Sequence, residues 1–113
     1  MGDHIPDRGD LIWLDFNPQA GREQAGFRPA LVLTPREYNR KTGLAVLCPI
    51  TSHVKGYPFE VPLPPKLPLQ GVVLVDHLKN LDWRQRRAEF KGKVPDAMLE
   101  EVLAKVAALL GIE

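Results

Sequence analysis

The chain has 113 residues, 44% of them hydrophobic and 26% charged, with a formal net charge of +1. These figures exclude a disordered polymer and a protein that grips nucleic acid by bulk charge, and the length suits one domain, 1–113, with a single core. The single cysteine, Cys48, excludes an internal disulfide and suits a reducing cytoplasm.

Residues 7–9, Asp-Arg-Gly, predict a turn into a first strand over 11–16. Alternation places Leu11, Trp13 and Asp15 on one side of that strand and Ile12, Leu14 and Phe16 on the other. Asp15 makes its side only partly buried. Trp13 reads first as a core residue and second as a platform for base stacking. A second strand follows over 30–34. Between the two, Asn17-Pro18, Gly21 and Gly26 break regular structure, so 23–29 (Glu-Gln-Ala-Gly-Phe-Arg-Pro) reads as a polar loop presented by buried strands. Arg28 is its sharpest residue: a planar five-donor cation suited to phosphate, held towards extended backbone by Pro29. The ordinary alternative is a surface ion pair between Glu23 and Arg28, of little energetic weight.

The polar stretch 35–43 reads as a helical turn or structured loop, with Arg36, Arg40 and Lys41 forming a local basic group. A third strand over 44–50 should end near Pro49, which has no N–H for a ladder, and Cys48 should be buried in it. Thr51 and Ser52 then place two hydroxyls at a strand end. They suit either a Ser/Thr turn or hydrogen bonds to a phosphate. Lys55 is a solvated turn residue or a phosphate contact. Residues 59–61 alternate as a strand, and Pro62, Pro64, Pro65 and Pro68 force an irregular connection to the next one, over 71–76. His77 is a buried structural residue or a group titrating near neutral pH.

Arg84, Arg86 and Arg87 form a second basic cluster ahead of a short strand over 87–94. The clearest helix comes last. Pro95 suits its first turn, Gly111 lies past its end, and Met98, Leu99, Val102, Leu103, Val106, Leu109 and Leu110 form one apolar stripe. The three histidines have no ligand-like spacing, so no metal and no cofactor is expected. No secretory segment and no membrane span is expected either. The pattern predicts a mainly β, β-rich α+β fold: a small curved sheet or partly open barrel with a C-terminal α-helix packed on it.

Several segments resemble the MazF/PemK-type endoribonuclease toxins of type II toxin-antitoxin systems. They are the Gly9-Asp10-Leu11-Ile12-Trp13 start, the E-Q-x-G-x-R-P element from Glu23 to Pro29, the P-x-T-S element from Pro49 to Ser52, and Lys55-Gly56-Tyr57-Pro58-Phe59-Glu60-Val61. The Gly71-Val72 to Asp76 run and Trp83-Arg84 extend the likeness to nearly the whole chain. One departure is His77, where the family commonly carries glutamine.

The resemblance implies an SH3-like barrel, a homodimer, and metal-independent, sequence-specific cleavage of single-stranded RNA. In that chemistry the substrate's 2′-hydroxyl attacks the adjacent phosphorus and leaves a 2′,3′-cyclic phosphate. It implies catalytic roles for Arg28 (phosphorane stabilisation), Thr51 (a hydrogen bond to a phosphoryl oxygen) and Glu23 (proton acceptor or orienter of Arg28), and substrate contacts at Gln24, Ser52 and Lys55. It also implies a cognate antitoxin whose acidic, disordered C-terminal segment blocks the groove, with Arg36, Arg40, Lys55 and Arg84 to Arg87 as docking points. Two other readings stand beside it: a gyrase-poisoning toxin on the same fold, and a catalytically silent RNA- or protein-binding module. The first is weakened by the absence of tryptophan from the terminal Leu110-Gly111-Ile112-Glu113.

Overall fold

The structure is a computed structural model that describes residues 4–17 and 26–112. Seven strands form one sheet: β1 (Asp10–Asp15), β2 (Phe27–Val32), β3 (Leu44–Thr51), β4 (Glu60–Pro62), β5 (Val72–Leu74), β6 (Lys79–Asp82) and β7 (Glu89–Lys93). Two helices accompany it, α1 (Arg36–Thr42) and α2 (Asp96–Leu110). The strand order is β4-β5-β3-β2-β1-β7, with β6 paired to β3, and every pairing is antiparallel. Its end strands, β4 and β7, do not pair, so the sheet stays open. The expected mainly β fold with a terminal helix is therefore present.

The period-two pattern of the first strand sorts the core. Leu11 joins Leu31, Cys48, Ile50, Val73, Met98 and Val102 in one buried cluster, and Leu99, Leu103 and Val106 pack against it from α2. Ile12, Leu14 and Phe16 join Ala30, Leu47 and Trp83 in a second cluster. Each buried leucine or isoleucine here contributes about 1.5–3 kcal/mol over leaving it in water. The helix α2 starts after an extended Pro95 and stops at Gly111, which has φ +72° and returns its N–H to Ala107 and Ala108 carbonyls.

Two buried polar side chains tie the loops to this frame. Asn39 of α1 accepts a bond from Thr34 Oγ1 (2.6 Å) and donates from Nδ2 to the carbonyls of Pro6 (2.8 Å) and Thr34 (2.9 Å). Its own carbonyl receives Trp83 Nε1 at 3.0 Å. Asp10, fully buried, receives the Asp7 N–H, His4 Nε2 and Lys93 Nζ. Both groups are fully engaged, as burial requires.

The main departures from the sequence reading come from turns and distant partners that local pattern does not reveal. β2 begins at Phe27, because Asp15 and Leu14 of β1 capture Phe27 and Arg28 in register. β3 runs through Pro49 to Thr51, since Ile50 and Thr51 pair with β5 beyond the break at Cys48 and Pro49 where β6 pairing has ended. The strand expected over 71–76 turns at Val75–His77 into a 3-10 turn. β6, with no β-branched residue, is drawn into the sheet by Leu44–Leu47 of β3.

Candidate active site

Arg28 sits on β2 and not in a loop, opposite Leu14 and with its side chain exposed. The β2–β3 register pairs Ala30 with Pro49, and counting two residues outward from that pair brings Arg28 level with Thr51. The two elements that sequence flagged separately are thus the adjacent ends of neighbouring strands.

A cleft of about 540 Å³ opens at this end of the sheet. One wall carries Trp13, Phe27, Arg28 and Pro29; Ile50 and Ser52 come from β3 and its exit. The other wall is the β4–β5 connection, with Pro68, Leu69 and Gln70. That size suits a nucleotide-scale ligand. Trp13, read first as core, is only half-buried. It stacks on Phe27 with centroids 5.8 Å apart and planes 28° from parallel, and Phe27 is 39% exposed. An aromatic surface beside a guanidinium fits stacking on a base next to a phosphate.

Thr51 is half-buried beside the cleft, and the Ser/Thr-turn reading of it is the one observed. Its Oγ1 accepts the N–H of His53 at 3.1 Å, forming the Ser/Thr turn, and among the described residues the hydroxyl donates to no partner. Ser52 lines the cleft directly. Lys55 lies outside that lining. Its Nζ stands 5.9 Å from the Tyr57 ring centre, and the N–H groups of Lys55 and Gly56 are tied to the Glu60 carboxylate. Glu23 and Gln24 fall outside the described residues.

Two residues that sequence reasoning passed over shape the site. Gly71 has φ +127°, and a Cβ there would stand 2.2 Å from the Thr51 carbonyl oxygen. Only glycine lets the β4–β5 connection close against Thr51. Arg86, read as part of a basic patch, instead donates from Nη1 to the carbonyls of Asp15 and Asn17, both at 3.0 Å, and clamps the end of β1. The gap between Gly71 and Pro68 in a proline-rich run was the available signal for the first. None existed for the second.

Cys48 is buried in the first core cluster, and desolvation, with Asp76 nearby, pushes its thiol up to about 12. It is no nucleophile in the folded chain. His77 is half-exposed in the 3-10 turn. Among the described residues no group of three His, Cys, Asp or Glu side chains converges as metal ligands, and no helix is long and apolar enough to cross a membrane.

An open antiparallel sheet with a strand-end arginine, adjacent hydroxyls and an aromatic-lined cleft defines a small β protein whose cleft carries groups chemically suited to a phosphate-bearing ligand. Residues 7–110 match the family described as PemK-like, MazF-like toxin of type II toxin-antitoxin system. The chain is 49% identical over 108 residues to the endoribonuclease toxin MazF of Escherichia coli (strain K12), covering 96% of each. The crystal structure of MazF from Deinococcus radiodurans matches with TM-score 0.93 at 58% identity, over 96% of this chain and 99% of that one. A MazE-MazF crystal structure from the same organism matches at TM-score 0.89 and 57% identity, over 98% and 100%. The chain belongs to the PemK-like, MazF-like toxins of type II toxin-antitoxin systems.

Proposed function

We propose that this chain is a metal-independent endoribonuclease that cuts single-stranded RNA at defined sequences, and so inhibits translation and growth. The 2′-oxygen forms a bond to the adjacent phosphorus, the bond from phosphorus to the 5′-oxygen breaks, and a 2′,3′-cyclic phosphate and a 5′-hydroxyl result. One proton leaves the 2′-hydroxyl and one reaches the 5′-oxygen. DNA lacks the nucleophile and is spared. Arg28 stabilises the charge on the phosphorane, the Thr51 hydroxyl donates to a phosphoryl oxygen, and Ser52 contacts the substrate. Glu23 serves as proton acceptor or as orienter of Arg28, with Gln24 and Lys55 as further substrate contacts. The observation that carries this reading is the convergence of Arg28 and Ser52 on one cleft, with Thr51 beside them on the adjoining strand. The endoribonuclease relatives support it.

The proposal extends to partners. A cognate antitoxin with an acidic, disordered C-terminal segment covers the cleft, as the matching MazE-MazF complexes suggest. A homodimer accounts for exposed apolar side chains such as Phe90, Leu110 and Ile112, at 44%, 57% and 70% exposure. Sedimentation equilibrium tests the dimer; a mass of one chain at micromolar concentration rejects it.

The enzyme reading is tested by incubating a long single-stranded RNA with purified protein in EDTA, wild type beside Arg28→Ala, and mapping the ends. Sequence-specific cuts with cyclic phosphate ends that vanish in the variant are expected. Undiminished cutting by Arg28→Ala would remove Arg28 from the mechanism. No cutting by either protein would turn attention to gyrase inhibition or simple RNA binding.

A further inference from the structure

The β4–β5 connection forms one wall of the cleft. It is held at three places. Leu67 and Leu69 pack against the first core cluster. Pro68 lies against Gly92 of β7, where a Cβ would come to 3.3 Å from the proline ring. Gly71 closes on Thr51, and its carbonyl accepts the Leu63 N–H at 2.9 Å. Several prolines stiffen the run further. The wall is therefore a fixed surface.

Gln70 is the polar side chain of that wall. Its Nε2 donates to the carbonyls of Pro65 (3.1 Å) and Leu67 (3.4 Å) in its own loop. Carbonyl oxygens only accept, so the amide cannot be turned over: the NH₂ end must face them. Its donors are spent inward, and among the described residues no partner engages Oε1. A glutamine is ordinarily ambivalent, offering a donor and an acceptor together. Here the loop has made it an acceptor only.

We propose that Gln70 is a specificity-determining residue: its locked Oε1 accepts a hydrogen bond from the N6 amine of an adenine or the N4 amine of a cytosine in the cleft. It therefore selects adenine or cytosine over guanine or uracil at one position of the cut site. Adenine and cytosine carry an amine where guanine and uracil carry a carbonyl oxygen, and two acceptors facing each other leave both unpaired. The stacked Trp13 and Phe27 on the opposite wall supply apolar contact for a base but cannot tell one from another, because every base has a π-face. This proposal rests on the ribonuclease reading above.

The test is cleavage of a randomised single-stranded RNA pool, with cut sites sequenced for wild type and Gln70→Met, which keeps the length of the side chain and removes the acceptor. Wild type should favour A or C at one position, and Gln70→Met should lower that preference about tenfold while preferences at other positions persist. Each comparison is internal to one pool, so a change in overall rate does not enter it. Unchanged preference in a folded Gln70→Met protein, or an equal loss at all positions, overturns the proposal. Should the variant fail to fold, wild-type protein is given RNA whose selected base lacks only its exocyclic amine. About tenfold slower cutting supports the assignment, and equal cutting overturns it. No cutting of any RNA by wild type would overturn the ribonuclease reading itself, an outcome distinct from cutting with unchanged base choice.

Discussion

The molecule has two polar regions with opposite fates. Around Asn39 and Asp10, side chains are buried and each polar atom is matched within the protein. At the cleft, Arg28, Ser52 and Gln70 are exposed on rigid strand ends and an anchored loop. The first arrangement spends its hydrogen bonds on holding segments together. The second keeps polar side chains at the surface of a cleft, within reach of a ligand. Substitutions should therefore separate cleanly: cleft changes reach catalysis, hub changes reach stability.

The largest effect is expected at Arg28. Arg28→Ala should lower the cleavage rate by roughly 10²–10³-fold, the usual cost of removing one donor to a developing anion, with the melting temperature nearly unchanged. A calorimetric scan beside initial rates checks both halves. Next comes Asn39→Ala, which strands the Pro6 and Thr34 carbonyls and should cost about 2–4 kcal/mol of stability. Its turnover per folded molecule should match wild type; a selective loss of turnover would dissolve the distinction between the regions.

Gly71→Ala joins the two regions and should fall between them. The added Cβ must push the Thr51 carbonyl away, so about 2 kcal/mol of stability and a tens-fold drop in cleavage are expected together. Unchanged cleavage would mean that Thr51 tolerates displacement and plays no part in the chemistry.

A smaller effect comes from Cys48. Its thiol is raised in the folded chain, from an ordinary value of 9.0 to about 12, so above pH 9 the unfolded chain releases a proton that the folded chain retains. Stability should then be intact below pH 9 and decline progressively between about 9 and 12. Urea titrations of wild type and Cys48→Ala across that range measure the difference in slope. The smallest effect is expected at Lys55, outside the cleft lining: Lys55→Ala should change cleavage by less than about tenfold, and chiefly through a raised KM at low salt.

Much of this was legible from residue order. Strand alternation in Leu11 to Phe16 placed each side chain on its proper face, because one-sided burial leaves a period-two trace. Pro95, the apolar stripe and Gly111 bounded α2 for the same kind of local reason. The E-Q-x-G-x-R-P and P-x-T-S elements single out Arg28 and Thr51, which lie at the ends of neighbouring strands. Trp13 went the other way. Its type argued for burial, yet it lies half-open and stacked on Phe27 at the cleft.

What sequence alone determined were those properties that depend on near neighbours: which segments are strands, which face is apolar, where backbone must break, and which family the chain resembles. Tertiary structure decided what depends on distant pairing. It drew β6 into the sheet, brought the ends of β2 and β3 level, turned Arg86 from a surface charge into a clamp, and fixed the amide of Gln70. Each of those outcomes requires a partner many residues away or a loop folded back on itself, and a carbonyl that fixes an amide carries no mark in the order of side chains.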